Sequence, residues 1–278
     1  MFEQILLAVD GSGRSREMMN MLLALPSLQR TQITVLHVIP VPASSEGLTE
    51  YRLAGERIVD KETKSLRLNS ENRSVALLKE GDPKDIVCKV ADELKPSLLI
   101  MGSRGMGRLQ AILANSVSQY VFQLAAIPML LIKDDVYIKT IRSVMVALDS
   151  SNSSKDSLDF AIKLIDGATD VEIFLSRVLK KNDDTTAESD PVLSEAIAKL
   201  KRMNIPYRTF LRAGDPGKEI CKAAEESNAS LLVLASPDRR PSIARSLPDL
   251  DRLLGTSVSD YVRVNASCPV LLTRPKEE

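Results

Sequence analysis

The sequence offers one histidine, three cysteines and no net charge, and each shortage closes off a class of function. His37 stands alone, which removes Ser/His/Asp triads in their usual form, multi-histidine metal sites and histidine relays. Cys88, Cys221 and Cys268 lie far apart without a CxxC pair. Cys88 and Cys221 occupy equivalent places in two predicted helices, so they read as small buried hydrophobes and not as disulfide partners. Lys plus Arg and Asp plus Glu stand at 37 each, so no global field draws nucleic acid or an anionic membrane. An anion site must therefore be local, built from backbone N–H groups and one or two nearby cations. No apolar run approaches the roughly 20 residues of a membrane span, and the opening MFEQILLAVDGSG has no basic leader, so a cytoplasmic protein is expected. A Walker loop is also excluded, because no GxxxxGK(S/T) occurs.

What the sequence does contain is a copy of itself. IRSVMVALDSS (141–151) echoes QILLAVDGS (4–12), placing Asp149 opposite Asp10, and LSRVL (175–179) matches LHVIP (36–40). GDPKDIVCKVADELKPSLLIMGS (81–103) aligns without a gap on GDPGKEICKAAEESNASLLVLAS (214–236), and SVSQYVFQLAAIPMLLIK (116–133) on SVSDYVRVNASCPVLLTR (257–274). Similarity this ordered means two complete copies of one domain, expected at 1–136 and 137–278. The 44% hydrophobic content suffices for two soluble cores.

Within copy one, short apolar runs at 4–10, 32–38, 74–80, 97–102 and 128–133 alternate with helical spacing at 15–29, 47–69, 83–95 and 116–125. Near-continuous Val, Ile and Leu strands separated by helices predict a mainly parallel sheet covered on both faces. The fold class is therefore α/β, with two tandem doubly wound domains of strand order 3-2-1-4-5. The stretch 39–73 reads as a loop followed by one long helix. The tripeptides Gly81-Asp82-Pro83 and Gly214-Asp215-Pro216 read as helix-start chemistry.

Ligands in such sheets gather at the carboxyl ends of strands, where the strand order reverses. The crevice between strands one and four receives Asp10-Gly11-Ser12 and Gly102-Ser103-Arg104-Gly105-Met106-Gly107-Arg108. Glycines there let backbone N–H groups approach a phosphate, while Asn115-Ser116 opens a helix whose N-terminus favours negative charge. Ser116 and Ser118 add hydroxyl donors. Asp10 is suited to capping the next helix, to accepting ribose hydroxyls or to reaching Mg²⁺.

These residues resemble the ATP-binding universal stress proteins, whose phosphate motif reads Gly, two residues, Gly, nine residues, Gly, then Ser or Thr. Gly102 and Gly105 match, nine residues follow, and Asn115 replaces the third glycine before Ser116. Asn is the residue that best tolerates the left-handed backbone after glycine. The resemblance implies adenosine held by Ala8, Val9 and Asp10, adenine against the backbone at Val38, and Met101 and Gly102 lining the same pocket. It implies phosphates across Arg104, Gly105, Asn115, Ser116, Val117 and Ser118, with Gly107 and Arg108 added on charge grounds.

The second copy departs from this motif. Ala235 and Asp238 replace the two glycines, with Pro237 between them, and the offset between copies rises from 133 at Gly81/Gly214 to 141 at Ser116/Ser257. Arg239, Arg240 and Arg245 lie in that insertion, and Gly255-Thr256-Ser257 still opens the helix. The expected function is a stress-response regulator that binds ATP, alone or with Mg²⁺, in its first domain, the second domain being structural or partner-binding. A slow Mg²⁺-dependent ATPase and a scaffold without nucleotide are the alternatives. The last strands of the two halves are expected to pair as an intramolecular pseudo-dimer, and two chains as a homodimer, with an unspecified protein partner.

Overall fold

The computed structural model describes residues 2–41, 45–103, 116–134, 136, 139–180, 186–236 and 257–274. The chain divides into two compact units, the first ending at Asp134.

The first unit runs β1 (Gln4–Ala8), α1 (Arg14–Leu22), a 3-10 turn (Pro26–Leu28), β2 (Gln32–Ile39), α2 (Ser45–Lys64), β3 (Arg73–Glu80), α3 (Pro83–Leu94), β4 (Leu98–Ser103), α4 (Val117–Leu124) and β5 (Met129–Lys133). Every pairing among these strands is parallel, in the order β3-β2-β1-β4-β5. Ile5, Leu6 and Leu7 of β1 and Leu98, Leu99 and Ile100 of β4 are wholly buried, as strands covered on both faces must be. Each such leucine or isoleucine stabilises the fold by about 1.5–3 kcal/mol relative to exposure. β3, at the edge, is instead mostly exposed or half-buried and carries Arg73, Lys79 and Glu80, charges that discourage further strand pairing.

The helices follow from spacing and from what stops them. Ser15, Met18, Met19 and Leu22 of α1 are buried, the i, i+3, i+4, i+7 stripe of a helix on a sheet. The spacing predicts a helix over 15–29, but α1 ends at Leu22. Pro26, which lacks an N–H and crowds the preceding turn, opens the 3-10 turn instead. The helix expected over 47–69 ends at Lys64. Beyond it Asn69 Oδ1 accepts from the N–H groups of Glu71 and Asn72 and turns the chain into β3. Both Gly-Asp-Pro tripeptides start helices. Asp82 Oδ1 accepts from Lys84 N at 2.8 Å, and Asp215 Oδ1 from Lys218 N at 3.0 Å.

The second unit runs β6 (Ser143–Leu148), α5 (Asn152–Leu164), β7 (Glu172–Leu179), α6 (Pro191–Arg202), β8 (Tyr207–Ala213), α7 (Pro216–Glu226), β9 (Leu231–Ala235), α8 (Val258–Asn265) and β10 (Val270–Thr273). Its parallel order, β8-β7-β6-β9-β10, is the same as that of the first. None of the three cysteines is in a disulfide. Cys88 and Cys268 are buried, and Cys221 is half-buried, so it is less enclosed than its equivalent in the first unit. No described helix is long and apolar enough to cross a membrane.

Candidate functional site

Strand order in the first unit reverses beside β1. Ala8 at its end lies between Leu36 of β2 and Met101 of β4. A cavity of about 500 Å³ opens over these strand ends. Nine of the twelve residues expected at the site line it: Ala8, Val9, Asp10, Val38, Met101, Gly102, Ser116, Val117 and Ser118. The other three, Arg104, Gly105 and Asn115, lie outside the described residues, as do Gly107 and Arg108. So do the second copy's Pro237, Asp238, Arg239, Arg240, Arg245, Gly255 and Thr256.

Each wall has a local cause. After β1 the chain turns sharply through Gly11 and Gly13, at φ +85° and +83°, a left-handed backbone that side chains disfavour. Asp10 is exposed, and its Oδ1 accepts from Ser12 N at 2.9 Å, an Asx turn. It does not cap α1, contrary to one expectation for it. Gly13 is the N-cap, and no side chain bonds the helix start. The second oxygen of Asp10 remains to meet a hydroxyl or a cation. Among the described residues no group of three His, Cys, Asp or Glu could hold a metal ion. A Mg²⁺ at Asp10 would therefore draw most of its oxygen ligands from a bound phosphate and water.

Gly102, on the β4 wall, has no need to be glycine for the protein's own sake. Its φ lies outside the left-handed range, and among the described residues a Cβ there would meet only Ser15 Oγ, at 3.7 Å. Ser116 is the N-cap of α4, yet its hydroxyl makes no capping bond. It lies 2.8 Å from Ser118 Oγ instead, so the N-cap side chain does not accept from the first N–H groups of α4.

Sequence reasoning missed several lining residues. Pro83 and Val87 come from the start of α3, and Arg14 from the start of α1, while Ser12, expected in the crevice, also lines the cavity. His37, the single histidine, lines the cavity and lies with Nδ1 2.8 Å from Val9 O. A carbonyl only accepts, so Nδ1 carries a proton and donates it to Val9 O. Asp134, directly after β5, also lines the cavity, with Oδ1 3.0 Å from Arg14 Nη1. Its place after the last predicted strand was the available signal for it.

The second unit treats the same positions differently. Ser151 Oγ, the N-cap of α5, accepts from Ser154 N at 3.1 Å and bonds Asp149 Oδ1 at 2.5 Å. Ser257 Oγ, the N-cap of α8, accepts from Asp260 N at 3.1 Å. Asp260 in that first turn adds negative charge where α4 has Gln119. Ser236 and Ser259 hydrogen-bond at 3.1 Å, and Arg274 Nη1 donates to Ser236 O at 2.7 Å. On the same helix burial pushes the Arg263 guanidinium below its ordinary pKa, against the opposing pull of Asp260. Ser257 Oγ also lies 3.0 Å from Ser259 Oγ, as Ser116 Oγ does from Ser118 Oγ, so what distinguishes the second unit is that Ser151 and Ser257 in addition cap their helices.

Comparison with known proteins agrees with this architecture. The model of the universal stress protein family matches residues 1–133 and again residues 140–274. A universal stress protein A-like protein of Arabidopsis thaliana is 40% identical over 58 residues, covering 21% of this chain and 33% of its own length. A universal stress protein of Thermus aquaticus is 31% identical over 139 residues, 48% of this chain and all of that one. The crystal structure of a universal stress protein from Archaeoglobus fulgidus superposes with a TM-score of 0.77 at 22% identity, covering 98% of this chain and 96% of that one, a likeness of fold. The chain belongs to the universal stress protein family, as two family domains in tandem.

Proposed function

We propose that this protein binds an adenine nucleotide, ATP, in the cavity of its first domain, and that its second domain binds none and serves structure or a partner. The two domains are taken as 1–136 and 137–278. The observation that carries this reading is the difference in helix capping. The two helix starts that line the first-domain cavity, at Gly13 and Ser116, have no side-chain cap. Their second-domain counterparts are capped by Ser151 and Ser257. An uncapped start leaves N–H donors and partial positive charge for an anion, and each is worth only about 0.3–1 kcal/mol at an exposed site, so two such starts at one cavity favour a polyanion.

The rest of the cavity suits the nucleoside. Its volume of about 500 Å³ falls within the range of small-molecule sites. Val9, Val38 and Met101 offer apolar surface for a base, and Asp10 has an oxygen left for a ribose hydroxyl. Gly102 permits close approach of the ligand. Binding would act on a partner only to the extent that the nucleotide prefers one conformational state over another. Titration of the nucleotide-stripped chain with ATP tests the assignment. Gly105→Asp, which gives the first domain the second domain's residue, abolishes binding, and unchanged affinity would remove the site from this domain. Asn115→Gly changes affinity little, whereas binding that appears only in that variant would mean a scaffold whose pocket is closed by Asn115.

A further inference from the structure

The charged groups at the cavity are unevenly divided. Among the described residues that line it, Asp10 and Asp134 are acids and Arg14 is the one Lys or Arg. Arg14 is the first residue of α1, directed to this place by the left-handed Gly11 and Gly13. Its Nη1 is buried and makes no hydrogen bond among the described residues, although Asp134 Oδ1 is 3.0 Å away. The contact with Asp134 is thus Coulombic and poorly aligned. The two side chains are 36% and 40% exposed, and an ion pair of that exposure contributes only about 0–1 kcal/mol. Such a pair is easily exchanged for a better acceptor. A phosphate is one, since its oxygens match the planar guanidinium fork two at a time and would satisfy the buried N–H. In the second domain Ser153 stands where Arg14 does, and it cannot supply a cation.

We propose that Arg14 reads the outer phosphates of the bound nucleotide, and that Asp134 holds its guanidinium when those phosphates are lacking. The proposal rests on the reading of the cavity as an adenine-nucleotide site and deepens it to a preference for triphosphate over monophosphate. Arg14 leaves Asp134 for the β- or γ-phosphate of ATP. AMP, lacking both, leaves the pair intact and gains nothing from it. Asp134 is then a brake on affinity, because its pairing must be given up on binding.

Calorimetric titration of the full chain with ATP and with AMP tests this on Arg14→Gln, Arg14→Lys and Asp134→Asn. Arg14→Gln weakens ATP at least tenfold and leaves AMP unchanged, and Arg14→Lys recovers part of the loss. Asp134→Asn, which keeps the shape and removes the competing charge, tightens ATP several-fold and leaves AMP unchanged. Equal losses of ATP and AMP in Arg14→Gln would make Arg14 a structural residue and overturn the proposal. Wild-type ATP affinity in Arg14→Gln would overturn it as well, while leaving the nucleotide site standing. If the wild-type chain binds neither nucleotide, the reading of the cavity and this proposal fall together.

Discussion

Replacing Gly102 by alanine separates what the fold requires from what a ligand requires. The backbone at Gly102 lies outside the left-handed range, and among the described residues the new methyl would meet only Ser15 Oγ at 3.7 Å, an ordinary contact. Where glycine's freedom is not used, alanine stabilises by about 0.4–1 kcal/mol, chiefly by restricting the unfolded chain. The first domain of Gly102→Ala is therefore expected to be as stable as the wild type or slightly more so. The same methyl stands on the cavity wall, where overfilling a fitted space costs about 1–3 kcal/mol. At about 1.4 kcal/mol per tenfold, ATP affinity should fall about 5- to 150-fold. Urea denaturation and calorimetric titration on one preparation give both numbers. A stability loss above about 1 kcal/mol would show that glycine is needed for the fold, and unaltered ATP affinity would show that no ligand approaches this strand end; either result refutes the reasoning.

Three further outcomes follow from the packing. Glu62, 1% exposed, is paired with Arg16 at 3.2 Å, so Arg16→Met leaves a buried carboxylate and should destabilise the first domain by about 3 kcal/mol, while Arg16→Met with Glu62→Leu recovers most of it; denaturant midpoints of the three chains decide. Ser257→Ala removes a bond that caps α8 and should cost the second domain about 1 kcal/mol, whereas Ala235→Gly, which restores a family glycine, should create no ATP site because Ser236, Ser259 and Arg274 remain bonded together. The Glu71, Glu80 and Glu226 carboxyls are held below the ordinary value of 4.5, first by side-chain hydrogen bonds from Arg30, Arg52 and Arg212. Groups depressed in the folded state contribute stability above their unfolded pKa and lose it as pH falls through the folded one. Urea midpoints should thus drop below pH 4.5, by less in high salt because these pairs are exposed.

The strands were the most legible part of the fold, because runs such as SLLIMG and PMLLIK have few alternatives to a strand covered on both faces. The repeat then fixed one topology for both halves. Helix ends were less legible. Periodicity carried α1 past Pro26, and α2 beyond Lys64 up to the turn that Asn69 builds, since local turn chemistry overrode an apolar pattern that continued. At the site, the switch point and the glycines marked the ends of β1 and β4. Arg14, His37 and Asp134 were not marked, because the left-handed turn after β1 and the end of β5 bring them to the cavity from three separate stretches of chain. The capping contrast was also hidden. Ser116 and Ser257 are the same residue in matching contexts, each bonded to the serine hydroxyl two residues on, and only the structure shows that Ser257 also caps its helix while Ser116 does not.

The most direct test of the central claim is the stoichiometry of ATP binding to the full, nucleotide-stripped chain by isothermal titration calorimetry. Uncapped helix starts in the first domain and bonded ones in the second predict one site per chain, lost in Gly105→Asp. Two sites per chain would contradict the closed reading of the second domain, and none would contradict the open reading of the first.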